Sequence, residues 1–265
     1  MPVLLALSAA LSWGTSDFLG GVAARRAGKV NAVTLGTQTT GLLTFIPVAL
    51  VAGGQLTVAD FWWALAAGTS SGTAIYMLYI GFTKSHTGVV APIAAIGTAA
   101  IPTLFGLLTG ETVTAIQAVG VLLGLLAIWL ISRPGKVLSV LDEQTSTGII
   151  YGVAAGIGFA LMFIALDQLT ADSGAWGVLP LRLGGVVMML LVSLARRLPM
   201  AVDRSVWPYI LAAGFIGSMG NLAFIVATRD GNLSIVAVVG SLFPAATVAL
   251  AYLFLSERLG RLQLV

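Results

Sequence analysis

Leu65-Ala66-Ala67-Gly68, inside an apolar run at 61–82, returns as Leu211-Ala212-Ala213-Gly214 inside a second apolar run at 206–228. The interval is 146 residues, and at that shift residues 60–119 pair with 206–265 without a gap and with thirteen identities. An apolar composition produces several such matches by chance, so the polar ones carry the weight. Glu111 meets Glu257 in a chain with only three glutamates, and Gln117 meets Gln263. Shifts of 144 and 145 continue the match upstream, setting Gln38 opposite Arg182 and Asp17 opposite an apolar position near Met162. The chain reads as two copies of one unit.

Composition says where that unit lives. Of 265 residues 58% are apolar and 9% charged, with a mean hydropathy of +1.02, whereas soluble domains devote about 25% of their residues to Asp, Glu, Lys and Arg. Twenty-three charged residues cannot clothe a water-facing surface of 27.2 kDa. A soluble enzyme, a nucleic-acid binder and a disordered scaffold are thereby poor readings, and the lipid bilayer is the expected surrounding. The net charge of +3 sits in short gaps between apolar runs, where anionic headgroups attract Lys and Arg. With no cysteine and a single histidine, His86, disulfides and thiolate or His-rich metal sites are excluded. No cofactor is expected.

A hydrocarbon core about 30 Å thick takes about 20 apolar residues of helix. The runs between charge clusters predict nine such helices, at about 3–22, 31–52, 61–82, 87–109, 113–132, 148–168, 174–195, 206–228 and 232–255. The ten-residue alternation of a membrane barrel is absent, and the frequent Gly and Ala suit close-packed helices. The first run has no basic residue before it, with Arg25 and Arg26 after it, so it reads as a retained span and not a signal peptide.

Counting Lys and Arg in alternate loops puts eleven on one side (Arg25, Arg26, Lys29, Lys84, Arg133, Lys136, Arg196, Arg197, Arg204, Arg258 and Arg261) and only Arg229 on the other. The positive-inside rule then predicts an outer N-terminus and cytoplasmic basic loops in a cell membrane. Each copy of the repeat spans five helices, and an odd number inverts the second copy. The expected organisation is an all-α polytopic membrane protein: a first five-helix repeat at 1–135, a cytoplasmic linker at 136–147 and an inverted second repeat at 148–265. In this register the partner of the fifth span stops two residues after Gln263, so a tenth helix is expected to be missing, through truncation or a natural end at nine.

Several of these segments carry a family likeness: Ser12-Trp13-Gly14-Thr15-Ser16-Asp17-Phe18 in the first span, Arg182 within the seventh, and the repeat-closing Leu108-Thr109-Gly110-Glu111-Thr112 and Leu255-Ser256-Glu257-Arg258-Leu259. In them the sequence resembles the drug/metabolite transporter superfamily, specifically the ten-helix EamA-type permeases. The resemblance implies a cavity between the first, third, fourth, sixth, eighth and ninth spans, and a cargo drawn from amino acids, sugars, metabolites and drugs. That family commonly has Arg in the second span as well; here Gln38 stands in its place.

Asp17 is the leading site candidate, because a carboxylate inside a span costs at least about 2.5 kcal/mol and marks a functional site by default. Trp13, four residues earlier, shares its face. Together they suit an amine or ammonium group, by charge and by cation–π attraction, or a proton. The competing reading has Asp17 bonding the second span or reaching toward Arg25. Arg182 suits a substrate carboxylate or, more simply, a lock between helices. Ser70, Thr73 and Tyr76 form a polar stripe in the third span, with Asn221 in the eighth, Thr98 in the fourth and Ser241 in the ninth as further candidates. Each of these serves equally well as a helix-packing contact. Trp62, Trp63 and Trp207 begin their spans and read as interfacial belt residues. Pro92, Pro102 and Pro244 are expected to kink the fourth and ninth spans. Glu111 and Glu257 are expected to cap the helix that follows each.

These features point to a secondary transporter working by alternating access, since no Walker-type loop is present to bind ATP. Proton-coupled export of a small metabolite, amino acid or drug is the leading form; a proton-independent facilitator or uptake permease is the alternative. The expected partners are a small-molecule substrate, protons, lipid and a second copy in a homodimer, with no nucleic acid. An intramembrane hydrolase needs a serine near a histidine, but His86 falls at a junction between spans and no Gly-x-Ser-x-Gly elbow is found. A non-transporting membrane subunit is the remaining alternative class.

Overall fold

The computed structural model describes residues 1–112, the positions 114, 115, 118, 119 and 122, and residues 143–255. Apart from those positions the fifth expected span, most of the linker, and Gln117, Glu257 and Gln263 lie outside the described residues. The described chain is helical, with no strand. Its helices are α1 (Pro2–Ala27), α2 (Val30–Ala52), α3 (Val58–Lys84), α4 (Thr87–Leu108), α5 (Glu143–Asp167), α6 (Val178–Ala195), α7 (Trp207–Asp230), α8 (Leu233–Gly240) and α9 (Phe243–Leu255). Short 3-10 turns at Ala171–Gly177 and Arg204–Val206 lead into α6 and α7.

Seven stretches among the described residues are long and apolar enough to cross a bilayer: α1, α2, α4, α5, α7, and the composite segments Ala171–Ala195 and Leu233–Phe254. The 27-residue α3 is as long as any of them, but Thr69, Ser70, Ser71 and Thr73 dilute its apolarity. It starts at a capping box in which Thr57 accepts from the Asp60 amide and Asp60 accepts from the Thr57 amide. Asp60 also accepts from the amide (2.7 Å) and hydroxyl (2.8 Å) of Thr170, so one carboxylate ties the start of α3 to the turn before α6.

The packing obeys the inverted repeat. α1 lies on α7 as its counterpart α5 lies on α3; α5 lies on α4 as α1 lies on α8 and α9; α6 lies on α3 as α2 lies on α7. The contacts α2–α6 and α4–α8 pair an element with its own counterpart, and so mark the pseudo-two-fold axis. The two halves are thus interleaved, each helix α1 and α5 being seated mainly against the opposite copy. Lipid supplies little hydrophobic drive between helices, so such crossings rely on small residues that let backbones touch. A methyl added at Gly68 would collide with the Leu181 carbonyl and one at Gly184 with the Leu65 carbonyl, which fixes α3 against α6. Gly214 meets Thr37 and Gly41 in the matching α2–α7 crossing.

Pro92 and Pro102 lie inside α4, which is continuous from Thr87 to Leu108, whereas the span containing Pro244 is broken at Ser241–Leu242 into α8 and α9. Glu111 caps a helix, but in the opposite half. Its carboxylate accepts from the amides of Leu233 (2.6 Å) and Ser234 (3.1 Å) and from the Ser234 hydroxyl, at the start of α8.

Candidate functional site

Where the repeats meet, a narrow cavity of about 30 Å³ lies within the bundle. One wall is polar: α1 contributes Trp13, Ser16 and Asp17, α7 contributes Gly217 and Asn221, and α6 contributes Arg182. The facing wall is apolar, with Phe159, Met162 and Phe163 of α5, Ile75 of α3 and Phe243 of α9. Ser71 of α3 completes it.

Each polar group is held in a different way. Trp13 donates its Nε1–H to Asn221 Oδ1 at 2.9 Å, and its ring stacks on Phe163 with centroids 5.2 Å apart. Phe224 closes the group, 4.3 Å from Phe163 and 5.4 Å from Trp13. This cluster fits because Gly220 and Gly240 leave room for the indole: a methyl at Gly220 would lie 2.8 Å from it and one at Gly240 would lie 3.4 Å from it. Ser16 donates to the Ala213 carbonyl at 2.8 Å, which joins α1 to α7.

Arg182 is 4% exposed. Its Nε donates to Ser218 Oγ at 2.9 Å and its Nη1 to Gln38 Oε1 at 2.7 Å. Gln38 is the residue that the repeat sets opposite it, so the pair sits on the pseudo-two-fold contact between α2 and α6. The Nε2 of Gln38 is buried and has no partner among the described residues. The Nη2 of Arg182 donates to the Gly214 carbonyl at 3.5 Å, and Arg182, which forms no salt bridge among the described residues, borders the cavity.

Asp17 differs from all of these. It is 6% exposed and makes no hydrogen bond or ion pair among the described residues, although Arg182 and Tyr79 lie within electrostatic reach. It borders two spaces at once. Beside the main cavity lies a second, smaller one of about 10 Å³, lined by Asp17, Gly21, Arg25, Phe82, Thr87 and, on α9, Thr247 and Ala251. Arg25 donates there to the Phe82 carbonyl at 3.0 Å and to Thr87 Oγ1 at 2.7 Å, and it makes no ion pair with Asp17. A buried carboxylate with free lone pairs, next to a fixed indole face, is built to accept a proton or an organic cation.

The structure therefore gathers four of the sequence candidates, Trp13, Asp17, Asn221 and Arg182, around one cavity. Ser70, Thr73, Tyr76, Thr98 and Ser241 do not border it. Three of them bond back into their own helix: Thr73 to Thr69 O (2.9 Å), Thr98 to Ala94 O (2.8 Å) and Ser241 to Ala237 O (2.7 Å). On α3 the cavity face carries Ser71 and Ile75 at helical spacing, one residue round from the stripe Ser70, Thr73 and Tyr76. Tyr79, four residues beyond Ile75, packs its hydroxyl on Gly20, one turn from Asp17. Its spacing from Ser71 was the available signal, but α3 is polar on both faces and does not announce which one is inner. Trp62, Trp63 and Trp207 are exposed at the starts of α3 and α7.

Comparison with known proteins adds the following. The family model described as the EamA-like transporter family matches residues 1–133 and 146–265. An uncharacterized protein of Methanocaldococcus jannaschii is 25% identical over 125 residues, covering 47% of this chain and 88% of its own length. A solved crystal structure of a protein at 15% identity superposes with a TM-score of 0.72 over 99% of this chain and 91% of the other, a likeness of fold.

Proposed function

The chain belongs to the EamA-like transporter family, whose members are transporters and not enzymes, and from that premise we propose that it exports a small cationic or zwitterionic solute in exchange for protons. The single observation behind this reading is Asp17, a buried carboxylate without a partner among the described residues, standing between two cavities. A proton and a solute ammonium compete for its oxygens, so loading one expels the other. Trp13, oriented by Asn221, presents its ring to the solute cation. Arg182, held by Gln38 and Ser218, lends its free donors to a solute carboxylate where there is one. The apolar wall opposite takes the rest of the molecule.

Rocking of the interleaved halves carries the loaded cavity from one face to the other. The basic loops lie in the cytoplasm and the N-terminus outside, by the charge count. The test is proton movement in liposomes loaded with a pH-sensitive dye, challenged with pools of amino acids, sugars and cationic drugs. One pool triggers proton movement with the native chain and none does with Asp17→Asn. Transport and pH dependence both intact in Asp17→Asn would sink the coupling, and tracer flux with no proton movement would favour a facilitator.

A further inference from the structure

We propose that α9 is the moving gate of the cavity, pivoting at Ser241–Leu242, while α8 stays fixed to the first half of the chain; the proposal rests on the transport reading above. The pivot is chemical in origin. Pro244 has no N–H to offer the Gly240 carbonyl, and its ring crowds that carbonyl. The turn tightens instead, with Leu242 N bonding Val239 O at 3.2 Å and Ala245 N bonding Leu242 O at 3.0 Å. In the first repeat the position of Pro244 is occupied by Thr98, whose hydroxyl bonds Ala94 O, and α4 runs through unbroken. One of two equivalent spans is therefore a single continuous helix, and the other is interrupted.

The two sides of the joint are anchored very differently. Glu111 takes the Leu233 and Ser234 amides at the start of α8, and Asn232 donates to the Thr112 carbonyl at 2.9 Å; Thr103 Oγ1, which donates to Ala99 O at 2.7 Å, also lies 3.3 Å from the Ser234 carbonyl. Val238 packs on Ala95 and Ala99 of α4. Among the described residues α9 has one polar tie to another helix, from Thr247 Oγ1 to the Gly14 carbonyl at 3.1 Å. Its remaining ties are packing contacts, such as Ala246 on Gly14 and the rings of Phe18 and Phe254, 6.0 Å apart.

What α9 covers gives the joint its use. Phe243, Thr247 and Ala251 recur every fourth residue and so share a face. Phe243 borders the main cavity, and Thr247 and Ala251 border the second. That face runs past Asp17, the residue common to both. Swinging α9 about its first turn joins the two spaces at Asp17 and opens a path toward the end of the bundle that carries Arg25.

The chain has no cysteine, which makes the test direct and independent of cargo. Ser71→Cys places one thiol in the cavity wall, and a water-soluble maleimide reports its access in nanodiscs, with mass mapping at position 71. Added Phe18→Cys and Phe254→Cys allow oxidation to tie α9 to α1; added Ala99→Cys and Val238→Cys tie α8 to α4. The first tie slows labelling at position 71 by about tenfold or more, the factor that corresponds to about 1.4 kcal/mol, and reductant restores it; the second leaves labelling within about twofold. Pro244→Ala, which restores helix continuity, slows labelling without any crosslink and decides the matter where a cysteine pair disturbs packing. Unchanged labelling with the first tie and with Pro244→Ala, or equal suppression by the second tie, would overturn the gate. If labelling follows the expected pattern but no solute moves in the native chain, the transport reading fails and the gate stands.

Discussion

α1 and α5 occupy equivalent places in the two repeats, each seated on the opposite half and facing the same cavity, yet one brings an indole, a hydroxyl and a carboxylate, and the other two phenyl rings and a thioether. The repeat puts Met162 where α1 has Asp17. Backbone symmetry asks only that small residues lie at the crossings, and both copies comply. It makes no demand on side chains that point into empty space, so chemistry is free to diverge there. The fold is symmetric and the site is one-sided.

The largest effect should come from removing that one-sidedness. Asp17→Asn takes away the only carboxylate bordering the main cavity among the described residues. Charged hydrogen bonds are worth about 1.5–3 kcal/mol, so solute-driven flux should drop by about 10- to 100-fold in liposomes. Adding Met162→Asp to Asp17→Asn moves the acid to the equivalent point on the other wall, and part of the flux should return if the cavity is shared by both. Flux that survives the first change would place the chemistry elsewhere.

A second break in symmetry lies on the axis itself, where Gln38 faces Arg182. Gln38→Leu leaves a buried guanidinium donor without its 2.7 Å acceptor, which costs about 1–3 kcal/mol. Thermal unfolding in detergent should show a lowered midpoint, and Ser218→Ala should lower it as well, because Ser218 Oγ accepts from the same guanidinium. A midpoint unchanged by both would mean that Arg182 is satisfied without them and is available to solute alone.

Much of this arrangement was readable in the residues. The match of Glu111 with Glu257 and of Gln38 with Arg182 implied the repeat, and charge spacing implied the spans. Asp17 stood out because burial of a carboxylate is costly, and Trp13 followed from helical spacing. Other features depend on geometry that a pattern does not contain. Pro92, Pro102 and Pro244 look alike in sequence; only the last lies at a broken helix. Glu111 caps a helix of the other copy, a partner set by interleaving and not by chain order. Thr98 and Ser241 fall near the middles of their spans, but their hydroxyls turn back to carbonyls one turn behind, a competition that lipid always offers to Ser and Thr.

Trp13 sharpens the contrast between walls on a smaller scale. Trp13→Phe keeps an aromatic ring against Phe163 and Phe224 but removes the donor to Asn221. A net hydrogen bond is worth about 0.5–1.5 kcal/mol, so apparent solute affinity should weaken by about two- to tenfold, while a change in the maximal rate alone would argue against a role for the indole in binding.

The smallest effect tests which face of α3 is the inner one. Ser70 and Ser71 are adjacent, hence about 100° apart around the helix, and only Ser71 borders the cavity. Its hydroxyl has no hydrogen bond among the described residues, which leaves it free for solute or water. Ser71→Ala should therefore weaken apparent affinity by about two- to fivefold, toward the lower end of a single neutral hydrogen bond. Ser70→Ala should leave it within about 1.5-fold, since that side chain lies outside the cavity wall and surface-type changes stay near ±0.5 kcal/mol. The reverse order, with Ser70→Ala the more damaging, would rotate α3 by one residue and move Tyr79 away from Asp17. It would make the stripe of Ser70, Thr73 and Tyr76 the polar lining instead, and the apolar wall built by α5 would then face a different partner.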